Sequence, residues 1–171
     1  MHQLLLLRHA KSSWDDPQLL DRDRPLNKRG LRAVKVIRQA IIDLGLLPDM
    51  VLISPARRVQ ETLAALEPWD ETPLIEPVET LYLASATQML HVLREVHETV
   101  RGVMLIGHNP GLHELAVQLA GSSADTEHKG RLLAAMPTAA LAEFAVATQW
   151  QHLDAGGTRL VRFLTPKHLA E

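Results

Sequence analysis

Three short apolar runs of the chain are each followed by basic or imidazole side chains. The first run ends in Arg8 and His9, the second is followed by Arg58, and the third by His108. If the three runs are parallel neighbours in one sheet, these side chains meet at one edge of that sheet. Because arginine forks bind tetrahedral anions well, the sequence predicts a site for a phosphate or sulfate ion at this edge.

The residues after His108 are typical of the start of a helix. We expect Asn109 to be the N-cap of a helix over 110–120, and Pro110 to be its first residue. A helix that begins there directs free backbone N–H groups at the same spot, which favours an anion. His108 is then placed as a donor to a phosphoryl oxygen.

Candidate strands and helices alternate along the chain, which predicts an α/β protein. The expected elements are, in chain order, strand 2–7, helix 28–44, strand 50–54, helix 57–66, strand 74–78, helix 86–98, strand 103–106, a helix with its regular part over 112–120, and strands 141–147 and 158–164. We expect a three-layer α/β/α sandwich with a mostly parallel central sheet, formed by a single domain over 1–171. Asn27 is expected to cap the first helix, whose basic side chains form a solvated face.

Composition excludes several kinds of site. The chain has 171 residues and no cysteine, so disulfides, cysteine-ligated metal centres and a thiolate nucleophile are ruled out. The net charge of −2 gives no overall basic field for nucleic acid or an anionic membrane. Seven of the nine histidines show no metal-ligand spacing, and no metal or other cofactor is expected. Because the apolar run Leu4–Leu7 is too short for a signal peptide or a membrane span, the expected location is the cytoplasm.

Four ordered segments carry a family resemblance. They read LLLLRHAKSSW, DRPLNKRG, ISPARRVQET and LIGHNPGL, and together they span residues 4–112. The chain resembles the histidine phosphatase superfamily, and among its members it is most similar to bacterial SixA-type phosphohistidine phosphatases. This resemblance implies a phosphoglycerate mutase-like fold without a large cap.

The resemblance also implies roles for four residues. His9 is the nucleophile, which becomes a phosphohistidine that water then hydrolyses, and His108 is the second histidine of the site. Arg8 and Arg58 hold phosphoryl oxygens, and as neighbouring cations they lower the pKa of His9 so that it attacks as neutral imidazole. Arg57 is expected at the rim or in solvent.

Four further residues are candidates for substrate binding. Arg8, His9 and Ala10 match the Arg-His-Gly signature of the family. Lys11 and Ser12 follow this signature directly, and they either contact the substrate or only line the loop. Arg24 either faces the substrate or forms an ion pair with Asp21 or Asp23. Asn109 is a plausible neighbour of the phosphate, although capping alone explains it.

The proton donor of many superfamily members has no clear counterpart. The position that aligns with their glutamate is Leu83, and Glu79 is the candidate proton donor four residues earlier. An ester needs such an acid because its alkoxide leaves poorly, whereas phosphohistidine releases imidazole, whose conjugate acid has a pKa near 6.5. The missing glutamate therefore favours phosphoramidate substrates.

The sequence favours a metal-independent phosphatase acting on phosphohistidine in proteins. Only about 50 residues separate Arg58 from His108, too few for a bulky lid beside the expected strand and helix. An open site suits a phosphorylated protein, such as a histidine-phosphotransfer domain or a phosphocarrier. The alternatives are a general small-molecule phosphomonoesterase, a mutase, a non-catalytic phosphate-binding module and a metallohydrolase.

Overall fold

The computed structural model describes residues 1–171, which form one six-stranded sheet with helices on both faces. The strands are β1 (His2–Arg8), β2 (Met50–Ile53), β3 (Leu74–Pro77), β4 (Gly102–Gly107), β5 (Leu141–Val146) and β6 (Thr158–Leu164). The helices are α1 (Lys28–Asp43), α2 (Arg57–Ala65), α3 (Ala86–Arg94), α4 (Gly111–Leu119), α5 (Glu127–Ala134) and α6 (Pro166–Leu169).

The strand order is β3-β2-β4-β1-β5-β6, and the sheet is mostly parallel. β3, β2, β4 and β1 pair in parallel, whereas β5 pairs antiparallel with both β1 and β6. The three apolar runs of the sequence are thus the neighbouring strands β2, β4 and β1. The residues that follow them lie at the same edge of the sheet.

Alternation along β1 divides the core into two layers. Leu4 and Leu6 pack on one face of the sheet with buried residues of α3, α4 and α5. Leu5 and Leu7 pack on the other face with buried residues of α1, α2 and the loop before β2. Because all four leucines are at most 1% exposed, β1 is buried on both faces, as a central strand of an α/β sandwich is. The predicted three-layer α/β/α sandwich is confirmed.

The structure differs from the expected elements in a few places. The third helix ends at Arg94, not at residue 98, because Glu98 turns away to accept hydrogen bonds from His2 and the Trp150 backbone. Helices α5 and α6 were not expected. The chain between Arg58 and His108 is taken up by α2, β3 and α3 of the sandwich, and it forms no cap. None of the helices is both long and apolar enough to cross a membrane.

Candidate active site

Strand register brings the two histidines together. Arg8 of β1 lies opposite Gly107 of β4, and Ile53 of β2 lies opposite Ile106 of β4, so the three strands end at one level. The residues that follow each strand therefore face one another. The imidazole ring centres of His9 and His108 lie 5.3 Å apart.

The strand ends open into a pocket of about 280 Å³. Three arginines, one lysine and both histidines line it, and no aspartate or glutamate does. The lining residues are Arg8, His9, Lys11, Ser12, Trp14, Arg24, Arg58, Leu83, His108, Asn109 and Thr138. The pocket is thus strongly electropositive, as an oxyanion site requires.

His9 is held as a neutral imidazole with one free nitrogen. It is only 7% exposed, and its Nδ1–H donates to the backbone oxygen of Ala10 over 2.7 Å. Burial, together with the positive charges of Arg58, Arg8 and Arg24, lowers the pKa of His9 to about 4, although the Ala10 hydrogen bond opposes this shift. Because Nδ1 carries the ring proton, Nε2 keeps its lone pair.

His108 is oriented from the end of β2. Its Nε2 bonds the hydroxyl oxygen of Ser54 over 2.7 Å, and its Nδ1 accepts from Arg58 Nη2 at 3.4 Å. Burial, followed by the charges of His9 and Arg58, lowers the pKa of His108 to about 3. A neutral ring that accepts at Nδ1 carries its proton on Nε2, so Ser54 accepts from it. Both histidines are therefore neutral at pH 7.

Arg58 lies in the first turn of α2 and is fixed by Asp21. Its Nη1 donates to the Asp21 backbone oxygen over 2.7 Å, and its Nη2 donates to the Asp21 carboxylate over 3.0 Å. Burial opposes ionisation of Asp21, but hydrogen bonds from Tyr82, Arg58 and Arg24 lower its pKa to about 2. Asp21 is thus a permanent anion that holds the positions of two cations.

Arg8 presents a donor that the protein does not satisfy. Its Nη1 donates to the backbone oxygen of Met136 over 3.1 Å, and burial lowers its pKa. The buried Nε of Arg8 and the buried Nε of Arg58 have no hydrogen-bond partner. Unpaired buried donors are rare in folded proteins, and here both belong to guanidinium groups that line the pocket.

Thr62 joins the nucleophile loop to α2. Its hydroxyl donates to the Arg58 backbone oxygen over 2.7 Å and accepts from the Ala10 N–H over 3.0 Å. Thr62 is fully buried, one turn after Arg58 in the helix. The hydroxyl therefore fixes the distance between the loop that carries His9 and the helix that carries Arg58.

Comparison with known proteins agrees with this geometry. The family model of the histidine phosphatase superfamily (branch 1) matches residues 4–80. A solved structure of an Agrobacterium tumefaciens protein, assigned as the phosphohistidine phosphatase SixA, is 30% identical with a TM-score of 0.82, covering 96% of this chain and 98% of that one. This chain belongs to the histidine phosphatase superfamily. The expected phosphoglycerate mutase-like fold is thereby confirmed.

Two curated relatives of this chain are uncharacterized proteins. One, from Mycobacterium tuberculosis, is 32% identical over 165 residues, which cover 94% of this chain and 100% of the relative. The other is a chloroplastic protein of Arabidopsis thaliana, 33% identical over 131 residues, or 71% of this chain. The match spans 60% of the length of the plant protein.

The structure brings most of the residues predicted for a histidine phosphatase superfamily site into the pocket. Arg8, His9, Arg58 and His108 line it with Lys11, Ser12, Arg24 and Asn109. For Arg24 the sequence left open an ion pair or a place in the site. Arg24 has both, since it pairs with Asp21 at 3.2 Å and lines the pocket. Ser12 is buried and accepts from Arg24 Nη1 over 2.6 Å. Arg57 is exposed, as expected, and it pairs with Glu61.

Glu79, the candidate proton donor, lies outside the pocket. Its carboxylate is exposed and pairs with Arg22 at 2.8 Å. Leu83, which aligns with the glutamate of other superfamily members, lines the pocket with a backbone φ of 48°, in the left-handed region. An apolar side chain thus lines the pocket at the position that aligns with their acid.

The prediction for Asn109 as an N-cap was wrong in detail. Helix α4 begins at Gly111, and Pro110 occupies the N-cap position. Asn109 Oδ1 accepts from the His113 N–H, and the Leu112 N–H donates to the His108 oxygen, so two N–H groups expected to be free are occupied. The amide of Asn109 also donates to Met136, which makes it a brace of the loop beside its place in the pocket wall.

Sequence reasoning missed Trp14, Ser54 and Thr62 as residues of this site, and it named Asp21 only as a partner of Arg24 and not of Arg58. Trp14 is 75% exposed and stacks on Arg24, whose guanidinium carbon lies 3.5 Å from the ring centre. Asp21, Ser54 and Thr62 act through contacts described above. Trp14 follows the signature by only a few residues, so its place in the motif was the one available signal. No group of three or more histidine, aspartate or glutamate side chains is arranged to hold a metal ion.

Proposed function

We propose that this protein is a cytoplasmic phosphatase that removes phosphate from phosphohistidine in other proteins, through a covalent intermediate on His9. Three features support this. The pocket is cationic, its two histidines are neutral, and the Agrobacterium relative is assigned as a phosphohistidine phosphatase. No step of the mechanism requires a metal ion.

His9 Nε2 is the attacking atom. A protonated imidazole has no lone pair to donate, so a pKa of about 4 keeps the nucleophile competent at pH 7. The hydrogen bond to Ala10 fixes which nitrogen attacks and holds the ring plane. Arg8, Arg24 and Arg58 border the pocket, where they stabilise negative charge on the equatorial phosphoryl oxygens.

The reaction has two displacements at phosphorus. In the first, the bond between phosphorus and the substrate imidazole breaks as a bond from phosphorus to His9 Nε2 forms. The substrate leaves as neutral imidazole when its other ring nitrogen already carries a proton. In the second, water attacks phosphorus, the bond to Nε2 breaks, and inorganic phosphate leaves as His9 returns to neutral imidazole.

One observation supports phosphohistidine over an ester as the substrate. No carboxyl group lines the pocket. Asp21 has a pKa of about 2 and is bound by two arginines, so it does not donate protons at pH 7. Glu79 is engaged with Arg22, and Leu83 lines the pocket where the acid aligns. An ester would have to expel an alkoxide without an acid, whereas phosphohistidine brings its own proton.

The open pocket favours a phosphate carried on a protein. The chain between Arg58 and His108 builds α2, β3 and α3, so no cap closes over the histidines. A phosphohistidine on the surface of a folded partner, such as a histidine-phosphotransfer domain or a phosphocarrier, would reach His9 without a lid movement. A small ester gains little from a site that does not enclose it.

The test compares two substrates with chelator present throughout. A phosphorylated histidine-phosphotransfer domain and a phosphomonoester are incubated with wild type, with His9→Ala, and with His113→Ala as the matched control. We expect wild type and His113→Ala to consume phosphohistidine far faster than ester, with an acid-labile phosphoenzyme trapped on His9. His9→Ala should lose at least about four orders of magnitude of activity.

The remaining outcomes separate the alternatives. Faster turnover of the ester identifies a general phosphomonoesterase, and phosphohistidine loss that persists in His9→Ala contradicts the covalent route. If neither substrate reacts but inorganic phosphate still binds, the protein is a phosphate-binding module. Wild-type activity that appears only in a parallel reaction without chelator identifies a metallohydrolase.

A further inference from the structure

A second pocket of about 280 Å³ adjoins the first. Lys11 and Thr138 line both pockets, so the two pockets are direct neighbours on the surface. The wall of the second pocket is formed by the loop after β1, here called the signature loop, by α1, by the loop before β5 and by the start of α6. Its lining residues are Lys11, Arg29, Ala33, Pro137, Thr138, Thr165, Pro166 and Lys167.

Three cations of this second pocket have no anionic partner in the protein. Lys11, Arg29 and Lys167 are exposed, and none of them forms an ion pair or a side-chain hydrogen bond. No aspartate or glutamate lines the pocket. Since the whole chain carries a net charge of −2, this excess of positive charge is local.

The fold itself gives no reason for a cation at Arg29. Lys28 and Arg29 occupy the first turn of α1, which contains no acidic residue. The helix dipole places partial positive charge at this end, so cations there are electrostatically disfavoured. A residue that destabilises its own helix and makes no compensating contact is typical of a binding surface.

A backbone contact fixes this cation beside the signature loop. A Cβ on Gly30 would lie 2.2 Å from the backbone oxygen of Lys11, so only glycine permits the approach. The Asn27 N–H donates to the same oxygen over 3.0 Å. The backbones of Arg29 and Lys11 therefore keep a constant spacing, which sets the position of the second pocket relative to His9, while the two side chains stay free to move.

We infer that the second pocket docks an acidic segment of the protein that carries the phosphate. This inference rests on the proposed function for the identity of that protein, but not for the pocket. Three unpaired cations around one depression complement carboxylates that flank the phosphohistidine. Exposed lysine and arginine side chains adapt to a protein surface, whereas a phosphate subsite would need the buried, fixed arginines found in the first pocket.

Binding is tested first without catalysis. Backbone amide resonances of the 15N-labelled protein are followed while an unphosphorylated peptide, with histidine flanked by glutamates, is added at low salt. Ala33, Thr165 and Lys167 should shift, and the counterpart with glutamines should shift none of them. In the double variant Arg29→Gln/Lys167→Gln these shifts should vanish, whereas Arg101→Gln/Arg159→Gln, with the same change of charge at the opposite edge of the sheet, should behave as wild type.

Turnover is tested with the phosphorylated forms of the two peptides and with phosphoramidate. Wild type should process the glutamate peptide with a kcat/KM roughly fivefold higher than the glutamine peptide, a preference that shrinks as salt is added. Arg29→Gln/Lys167→Gln should reduce this ratio to about one through KM and should leave phosphoramidate hydrolysis unchanged.

Several results would overturn the inference. They are equal turnover of both peptides by wild type, a preference that survives in Arg29→Gln/Lys167→Gln, or a preference lost equally in the charge-matched control. Shifts caused by inorganic phosphate or by an oligonucleotide, but not by the glutamate peptide, would assign the pocket to another anion. If phosphoramidate is not hydrolysed by wild type, the proposed function fails while the resonance shifts still decide the docking surface.

Discussion

The two adjoining pockets hold their cations in opposite ways. In the first pocket Arg24 and Arg58 are buried, and both are bound to Asp21. In the second pocket Arg29 and Lys167 are exposed and have no partner. The pockets are equal in volume and share a wall, so the difference lies in how firmly each cation is positioned.

Under the functions proposed for the two pockets, this contrast separates bond breaking from partner recognition. A transition state is stabilised by charges that are already in place, because reorganising them would consume the stabilisation. A partner surface is bound by charges that can adjust, at a cost in side-chain entropy that keeps the contact weak and reversible. Substitutions in the first pocket should therefore act strongly on kcat, and those in the second should act weakly on KM.

The largest effect is expected from neighbouring arginines of α2 that differ in burial. Arg58→Gln removes a fixed charge from the phosphoryl group and should lower kcat/KM about a thousandfold, or about 4 kcal/mol. Arg57→Gln, which removes an exposed ion pair with Glu61, should change it less than about twofold. Steady-state kinetics on phosphoramidate checks both, and equal losses in the two variants would contradict the distinction.

A second effect concerns the stability of the fold as pH changes. The folded-state pKa of His9, about 4, lies below the unfolded value of 6.5, so between these values the unfolded chain binds more protons. Stability should fall as pH falls from 7 to 5, with His9 contributing about 2 kcal/mol of that loss. Urea denaturation at both pH values should show a correspondingly smaller loss for His9→Gln. Equal losses in both proteins would mean that His9 is not held neutral by the fold.

An intermediate effect is expected at Thr62, which supports the pocket without lining it. Thr62→Val keeps the shape of the side chain but removes the hydroxyl that joins Ala10 to Arg58. We expect about a tenfold loss in kcat, and a loss of about 1–3 kcal/mol in the free energy of unfolding, because the Ala10 N–H is left unpaired. Thr62→Ser should restore both in kinetics and urea denaturation. A Thr62→Ser protein as impaired as Thr62→Val would contradict the role of the hydroxyl.

The smallest effect is expected at Ser54, which orients His108 without lining the pocket. Ser54→Ala should lower kcat/KM roughly threefold, the cost of one modest hydrogen bond. The 15N shifts of His108 should report more proton on Nδ1, which a purely structural role of Ser54 would not produce. Ser122→Ala, an exposed serine with no hydrogen bond, is the control. Unchanged His108 shifts would refute the orienting role.

Much of the fold could be predicted because local pattern and long-range packing agree. Strand β1 is a continuous apolar run, and α1 carries its own cap in Asn27, whose side chain accepts from Gly30. Helices α5 and α6 also begin at capping residues, Thr126 and Thr165, but they bury little apolar surface of their own. α5 contains Gly130 and buries only Leu132, and α6 is a single turn. Their stability comes from contacts with β6 and α1, which no local pattern displays.

Site residues that directly follow strands could be predicted from the sequence. Site residues that act by positioning other residues could not. Arg8, His9 and His108 stand at strand ends, so strand order alone brings them together. Asp21 and Ser54 lie 37 and 54 positions from the residues they hold, Arg58 and His108. Such contacts depend on how a loop crosses the sheet edge, and nothing in the spacing of the residues encodes it.

The contact of Gly30 with Lys11 has a consequence for how proteins of this shape can diversify. The distance between the two pockets is set by a backbone contact. Substitutions at the exposed positions 29 and 167 therefore leave this distance unchanged. With the second pocket as the proposed docking site, substitutions there would change the choice of partner and leave the proposed chemistry constant. Any side chain at position 30 would force α1 and the loop apart and alter both pockets at once.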